Sequence, residues 1–263
     1  MMHARPRMSA TLLGVALLLP AVSAAAEAEA KLAPEALLRH IDEKMSFASD
    51  YKGVVRMFET KKDGTKRALE VNVYRREKTR ELLFVSTQPA HLAGQGYLRI
   101  GRNLWEYDPG TGAWRRTTQR TNVLTTFACE TDFDRSRLAE DYTAADEGLE
   151  TVSGVAYRKL LLTAKDPNGT VPFALLRLWV DPQNNIVKRV GYAPSGKSLR
   201  TDIVRSYQRF KDPVSQQQVL HYREVLETDD QQGSQMLVRY EEVELAPLDA
   251  NIFTKAWLES RMR

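Results

Sequence analysis

The sequence predicts a mainly β protein built as an antiparallel meander of about eleven strands, and three observations carry that reading. Apolar and polar residues alternate along several segments, as in Leu69, Val71 and Val73 against Glu70, Asn72 and Tyr74. Turn-forming clusters punctuate the chain at short intervals, among them Lys62-Asp63-Gly64, Asp108-Pro109-Gly110, Asp181-Pro182-Gln183-Asn184 and Pro194-Ser195-Gly196-Lys197. Connectors this short force neighbouring strands to pair antiparallel, and so long a meander must curl or close to limit its exposed edges.

The amino end reads as a signal peptide over residues 1–26. His3, Arg5 and Arg7 precede an uncharged, leucine-bearing run from Ala10 to Val22, and small residues allow cleavage after Ala24 or Ala26. The run is well short of the roughly 20 residues a spanning helix needs. No cysteine stands at the cut, so no lipid anchor of the protein's own is expected. Residues 27–263 are then one exported domain, because no Ser/Gly/Pro-rich linker divides them. The whole chain carries 38 basic and 34 acidic residues. Removal of Arg5 and Arg7 with the leader leaves 36 against 34, nearly balanced. The basic residues are dispersed, not gathered into a stripe, which argues against nucleic acid as partner despite a pI near 9.1.

After the leader, Pro34 and the spacing of Leu37, Leu38, Ile41 and Met45 predict an amphipathic helix. A hairpin begins at Tyr51, and Glu81 to Thr87 is apolar on both sides, as in an interior strand ended by Pro89. Short strands are expected at Gly96 to Ile100, Asn103 to Tyr107 and from Trp114. Between Thr121 and Gly148 the alternation lapses, and Phe133, Leu138 and Tyr142 suggest one or two short helices. Long strands resume at Val155 to Lys165, Phe173 to Val180, Asn185 to Tyr192, Leu199 to Phe210, Gln218 to Thr228 and Ser234 to Leu245. Asn168-Gly169-Thr170 matches a glycosylation acceptor, but within Asp-Pro-Asn-Gly it reads better as a hairpin turn.

The residue inventory does not favour catalysis. His40, His91 and His221 fall in separate elements without partners at ligand or triad spacing, and no G-x-S-x-G, H-E-x-x-H, phosphate loop or CxxC is present. No metal or cofactor is therefore expected. The lone Cys129 follows Phe127 and Ala128 and is expected to be buried. What stands out is apolar content on both strand faces: Ala174, Leu176, Leu178 and Val180 on one side, Phe173, Leu175, Arg177 and Trp179 on the other. A curved sheet with such faces can hold an apolar cavity or a thick filled core. Arg177 should reach solvent or the outer surface, because an unpaired guanidinium inside would cost several kcal/mol.

Several segments, in order and spacing, resemble the outer-membrane lipoprotein-sorting family related to the carrier LolA. They are Tyr51-Lys52-Gly53, Gly94-Gln95-Gly96-Tyr97-Leu98-Arg99-Ile100, Asn103-Leu104-Trp105-Glu106-Tyr107 before Asp108-Pro109, Asp132-Phe133 leading into a helix, and Leu248-Asp249-Ala250-Asn251-Ile252-Phe253-Thr254. The chain departs from the family pattern at Arg115-Arg116-Thr117 and Glu130-Thr131-Asp132, where Arg-Arg-Ile and Gly-Ser-Asp are expected. The resemblance implies an incomplete antiparallel β-barrel whose concave apolar face is covered by helices, with acyl chains held between sheet and lid. It further implies a periplasmic carrier for acyl-chain-bearing lipids or lipoproteins, working with an inner- or outer-membrane transport complex. A sensor of the same fold that docks on a membrane complex, and a hydrolase using carboxylates in the cavity, are the alternatives. The residues expected to line the cavity are Leu69, Val71, Val73, Leu98, Ile100, Trp105, Leu176, Leu178 and Val180, as the more apolar face of their strands. A strand assigned to the wrong face inverts every residue on it.

Overall fold

The computed structural model describes residue 1 and residues 32–101, 103–117, 122–166 and 171–260. The expected leader cleavage and the Asn168-Gly169 turn lie outside the described residues. From Ala33 onward the described chain forms one unit around a single antiparallel sheet of thirteen strands.

The first meander comprises β1 (Tyr51–Thr60), β2 (Lys66–Arg76), β3 (Glu81–Gln88), β4 (Gly96–Ile100), β5 (Asn103–Asp108) and β6 (Ala113–Thr117). The second comprises β7 (Tyr142–Val152), β8 (Val155–Ala164), β9 (Leu175–Val180), β10 (Ile186–Tyr192), β11 (Ser198–Lys211), β12 (Gln218–Asp229) and β13 (Gln235–Leu245). Pairing of β1 with β13 joins the two, giving the order β6-β5-β4-β3-β2-β1-β13-β12-β11-β10-β9-β8-β7. The sheet does not close. Strands β6 and β7, consecutive in the chain, stand at its opposite ends.

The short helices expected between Thr121 and Gly148 are present among the described residues as a 3-10 turn at Glu130–Phe133 and as α2 (Leu138–Asp141), but the end of that stretch belongs to strand β7, which was not expected. Its sequence hides it. As an edge strand paired only with β8, it leaves Asp146, Glu147 and Leu149 outside the core, so there is no apolar alternation to read. The strand expected from Phe173 starts at Leu175, and Phe173 turns inward instead of sharing a side with Arg177. Its ring fills the place where a side chain on Gly191 would stand, with a Cβ there only 2.4 Å from the ring.

Each face of the sheet is covered differently. Helix α1 (Pro34–Met45) lays Leu37, Leu38, Ile41 and Met45 on the concave side of β8 to β10, against Leu160, Leu162, Leu176, Leu178, Val180 and Ile186. On the other half of the concavity, Val123, Leu124, Ala128 and Phe133 pack on Val55, Met57, Leu69, Val71, Val73, Phe84 and Tyr97. The chain's last described turns, with α3 (Lys255–Ser260), cover the convex side of β2 to β5, where Ile252, Phe253 and Leu258 meet Leu83, Val85 and Leu98. Among the described residues no helix is long and apolar enough to cross a membrane.

Leu178 is fully buried beneath α1, and Arg177 points to the convex side, where its guanidinium meets Glu147 and Tyr192. A carboxylate forced into the packed site would lack a partner. Leu178→Glu is expected to cost about 3 kcal/mol or more in urea denaturation, and Arg177→Gln less than about 1. A small loss for Leu178→Glu would show that this half of the concavity is not filled.

Candidate functional site

Because β6 and β7 end the sheet on opposite sides, the chain between them must span the open mouth. Its described part, from Asn122 to Asp141, runs across the concave face as a strap. Along it, Glu130, Asp132 and Asp134 recur at every second position, and the sheet offers each an arginine.

From β4, Arg99 donates through Nη1 to Glu130 at 2.5 Å and to Asp134 at 2.6 Å, with Nη2 reaching Asp134 at 3.1 Å. From β11, Arg200 grips both oxygens of Asp132, at 2.9 and 2.5 Å. Arg189 on β10 donates to Asp202 and stands 3.9 Å from Asp132. The strap is pinned elsewhere by Arg67, whose guanidinium donates to the Thr125 hydroxyl and carbonyl, and by Asp42 of α1, which accepts from Ser136 Oγ and from the Leu138 and Ala139 amides. Its apolar anchor is Phe133, 5.0 Å between ring centres from Phe84, which itself stacks on Tyr97 at 4.8 Å.

Two cavities of about 80 and 100 Å³ lie on either side of this strap, and both are bordered by Thr131, Asp132, Asp134, Arg135, Ser136 and Arg189. The larger of the two abuts a cleft of about 310 Å³ lined by Phe127, Leu199, Asp229 and Gln232, with Pro172, Phe173 and Arg200 common to both. Drug-sized ligands occupy roughly 300–1,000 Å³. The two cavities beside the strap fall below that range and the cleft stands at its lower end.

The electrostatics are uneven. Burial works against the Asp134 carboxylate, but hydrogen bonds and charge from Arg99 outweigh it and hold the group down at about 2. Glu130, sharing that guanidinium and fully buried, is pushed up to about 7 by burial against the pull of Arg99. Its Oε2 has no hydrogen-bond partner among the described residues. Asp132 is held below the usual range despite burial, chiefly by Arg200, whereas burial drives Glu227 well above it. His221 is buried between Tyr51 and Tyr240 and is pushed down to about 4 by that burial. Burial lifts the Cys129 thiol to about 12, the opposite of what a reactive thiol needs.

Of the nine residues expected to line a cavity, Leu69, Val71, Val73, Leu176, Leu178 and Val180 face the concave side. Val73 and Leu176 border the two cavities under the strap, and the other four are packed into filled core. Leu98, Ile100 and Trp105 correct the expectation, because they lie on the convex side. Leu98 sits in the cluster with Phe253 and Leu258, Trp105 pairs with it across β4–β5 and carries Lys255 over its ring, and Ile100 is exposed. The arginines of the concave face were missed. Arg75 stands two residues beyond Val73 and Arg99 two beyond Tyr97, a signal that places both inside, whereas Arg200, between Ser198 and Asp202 on its own face, carries none.

A family model described as an uncharacterized protein matches residues 78–260. No curated protein sequence matches the chain. Among solved structures, a LolA superfamily protein of Nitrosomonas europaea is 22% identical, covering 86% of this chain and 99% of its own, with a TM-score of 0.72. An outer membrane lipoprotein-sorting protein domain of Vibrio parahaemolyticus is 17% identical over 86% and 98%, with a TM-score of 0.71. A DUF1329 family protein of Desulfovibrio piger is 16% identical over 85% and 97%, with a TM-score of 0.73. At these identities the likeness is one of fold: an open, incomplete β-barrel of the LolA type.

Glu130 should make stability depend on pH. Its folded pKa, about 7, lies above the ordinary 4.5, so its contribution is full below about pH 4.5 and is lost as pH rises through 7. Comparison with Glu130→Gln cancels the effects of His221 and the other carboxylates. Between pH 8 and pH 5 the wild type should gain about 2 kcal/mol over the variant in urea denaturation, and a constant difference would contradict the assignment.

Proposed function

This chain belongs to the family whose model matches residues 78–260, and on that footing we propose that it is an extracytoplasmic carrier or binding protein for acyl-chain-bearing lipids or lipid-modified proteins. The observation that carries the reading is the strap. It divides the concave face into two small cavities with a common lining, and its Phe133 ring lies on the Phe84–Tyr97 stack where an acyl chain would lie. Displacing the strap joins the cavities to each other and to the cleft beyond Phe173.

The energetics suit exchange. An acyl chain gains about 0.8 kcal/mol for each methylene taken out of water, so a chain of ordinary length outweighs the apolar contact of one phenylalanine. The strap is also held by the buried Val123, Leu124 and Ala128, by hydrogen bonds to Arg67 and Asp42, and by ion pairs, whose net contribution is small because desolvation offsets their attraction. The core beneath α1 stays filled throughout, so opening leaves the sheet intact. Such a protein acts by binding and release, with no covalent step. The leader-like amino end supports a place outside the cytoplasm, and membrane complexes that load or unload it are the partners this role requires.

Native mass spectrometry of protein taken from its own exported fraction should show adducts with the masses of acyl lipids or a lipidated chain. A fluorescent fatty-acid probe should bind the stripped protein, and Phe133→Ala should tighten that binding about five-fold or more by removing the group the chain displaces. A stable protein partner without lipid, together with no probe binding, would favour a sensor and overturn the carrier reading.

A further inference from the structure

The arginines at the centre of the concavity have an arrangement that the carriage of a bare acyl chain does not require. Arg200, 5% exposed, presents its two terminal nitrogens as a fork to both oxygens of Asp132. That is the geometry in which arginine recognises a carboxylate or a phosphate. Arg189 stands beside it, 3.9 Å from the same carboxylate. The carboxylate they hold comes from the strap, whereas both arginines come from the sheet.

Two guanidiniums here face two carboxylates, Asp132 and Asp202. Asp202 belongs to β11 and remains if the strap lifts, and Glu227, across on β12, is driven by burial toward its neutral form. Lifting the strap therefore strips one negative charge from a pair of cations, of which Arg200 is buried and Arg189 partly exposed. A buried cation that loses its partner carries a cost, so an anion that takes the place of Asp132 eases the departure of the strap.

The space around Arg200 fits such an anion. The residue borders both the cavity of about 100 Å³ and the cleft of about 310 Å³, and its guanidinium lies 5.1 Å from the centre of the Phe173 ring. Phe127, Phe173 and Leu199 give the cleft an apolar wall beginning at that cation. Its Nε stands 3.2 Å from Asp202 Oδ1, an ion pair within the sheet that leaves the two terminal nitrogens as the part facing the strap.

We propose that Arg189 and Arg200 form a headgroup subsite for an anionic amphiphile, a carboxylate or phosphate joined to an acyl or alkyl chain, and that Asp132 of the strap occupies this subsite when no ligand is bound. The inference rests on the carrier reading and adds the chemistry of the cargo's polar end. Loading is then an exchange of one anion for another, with the chain following into the space that Phe133 vacates.

The test uses the purified, delipidated protein and four probes below their micellar concentrations: laurate, dodecyl phosphate, dodecanol and inorganic phosphate. Laurate and dodecyl phosphate should displace a neutral fluorescent probe at concentrations at least ten-fold lower than dodecanol, and inorganic phosphate should not displace it at those concentrations. Asp132→Asn should raise the ratio of laurate to dodecanol affinity about ten-fold. Because Arg200→Gln could fail to fold, this ratio in Asp132→Asn is the deciding measurement, with Arg177→Gln as the unchanged control. Equal binding of laurate and dodecanol, or an unchanged ratio in Asp132→Asn, overturns the headgroup subsite and leaves the carrier reading standing. Displacement by inorganic phosphate as strong as by dodecyl phosphate overturns the amphiphile and assigns the arginines to a small anion. Failure of every amphiphile to bind overturns the carrier reading itself.

Discussion

The β1–β13 pairing governs the rest of the molecule. It joins two meanders through their first and last strands, which leaves β6 and β7 at opposite ends of one open sheet although they follow each other in the chain. A connection between distant edges of a curved sheet has to cross its mouth. Here the crossing segment carries Glu130, Asp132 and Asp134 over a face where Arg99, Arg189 and Arg200 point inward. The strap is thus tethered at both edges of the sheet and fastened in the middle by charge.

That division separates what holds the fold from what covers the concavity. Beneath α1, fully buried leucines such as Leu160, Leu162 and Leu178 fill the interior, each worth about 1.5–3 kcal/mol of burial. Under the strap the packing is thinner, with two cavities and with oxygens on Glu130 and Glu227 that have no hydrogen-bond partner among the described residues. Buried ion pairs add little net stability but fix position sharply, since a misplaced partner leaves a charge uncompensated. A segment held this way is well located and still open to replacement. Local opening of such weakly packed elements without global unfolding is the general expectation for covers over binding sites.

Much of this was legible in the residues. The alternation of β2, the turn clusters and the helical spacing of Leu37, Leu38, Ile41 and Met45 gave the meander and its first helix, because those signals come from one-sided burial. Strand β7 was not legible, since its existence depends on pairing with β8 and its side chains contribute little to the core. The faces of β4 and β5 were inverted for a related reason. With Phe84 and Phe133 on one side of them and Phe253 and Leu258 on the other, both faces are apolar and hydrophobicity cannot tell inner from outer. The inward arginines are not legible in this way, because a guanidinium reads as a surface residue until its carboxylate is located, and these carboxylates come largely from a different part of the chain.

Hydrogen exchange across the chain, with and without a saturating long-chain amphiphile, tests most directly whether the segment crossing the mouth is a displaceable cover. The expected result is faster exchange of amides in 122–141 on binding, with β8 to β10 and α1 unchanged. Unchanged or slower exchange in 122–141 when the amphiphile is bound would mean that the segment is a fixed part of the core, and that the cavities beside it are packing defects and not a closed binding site.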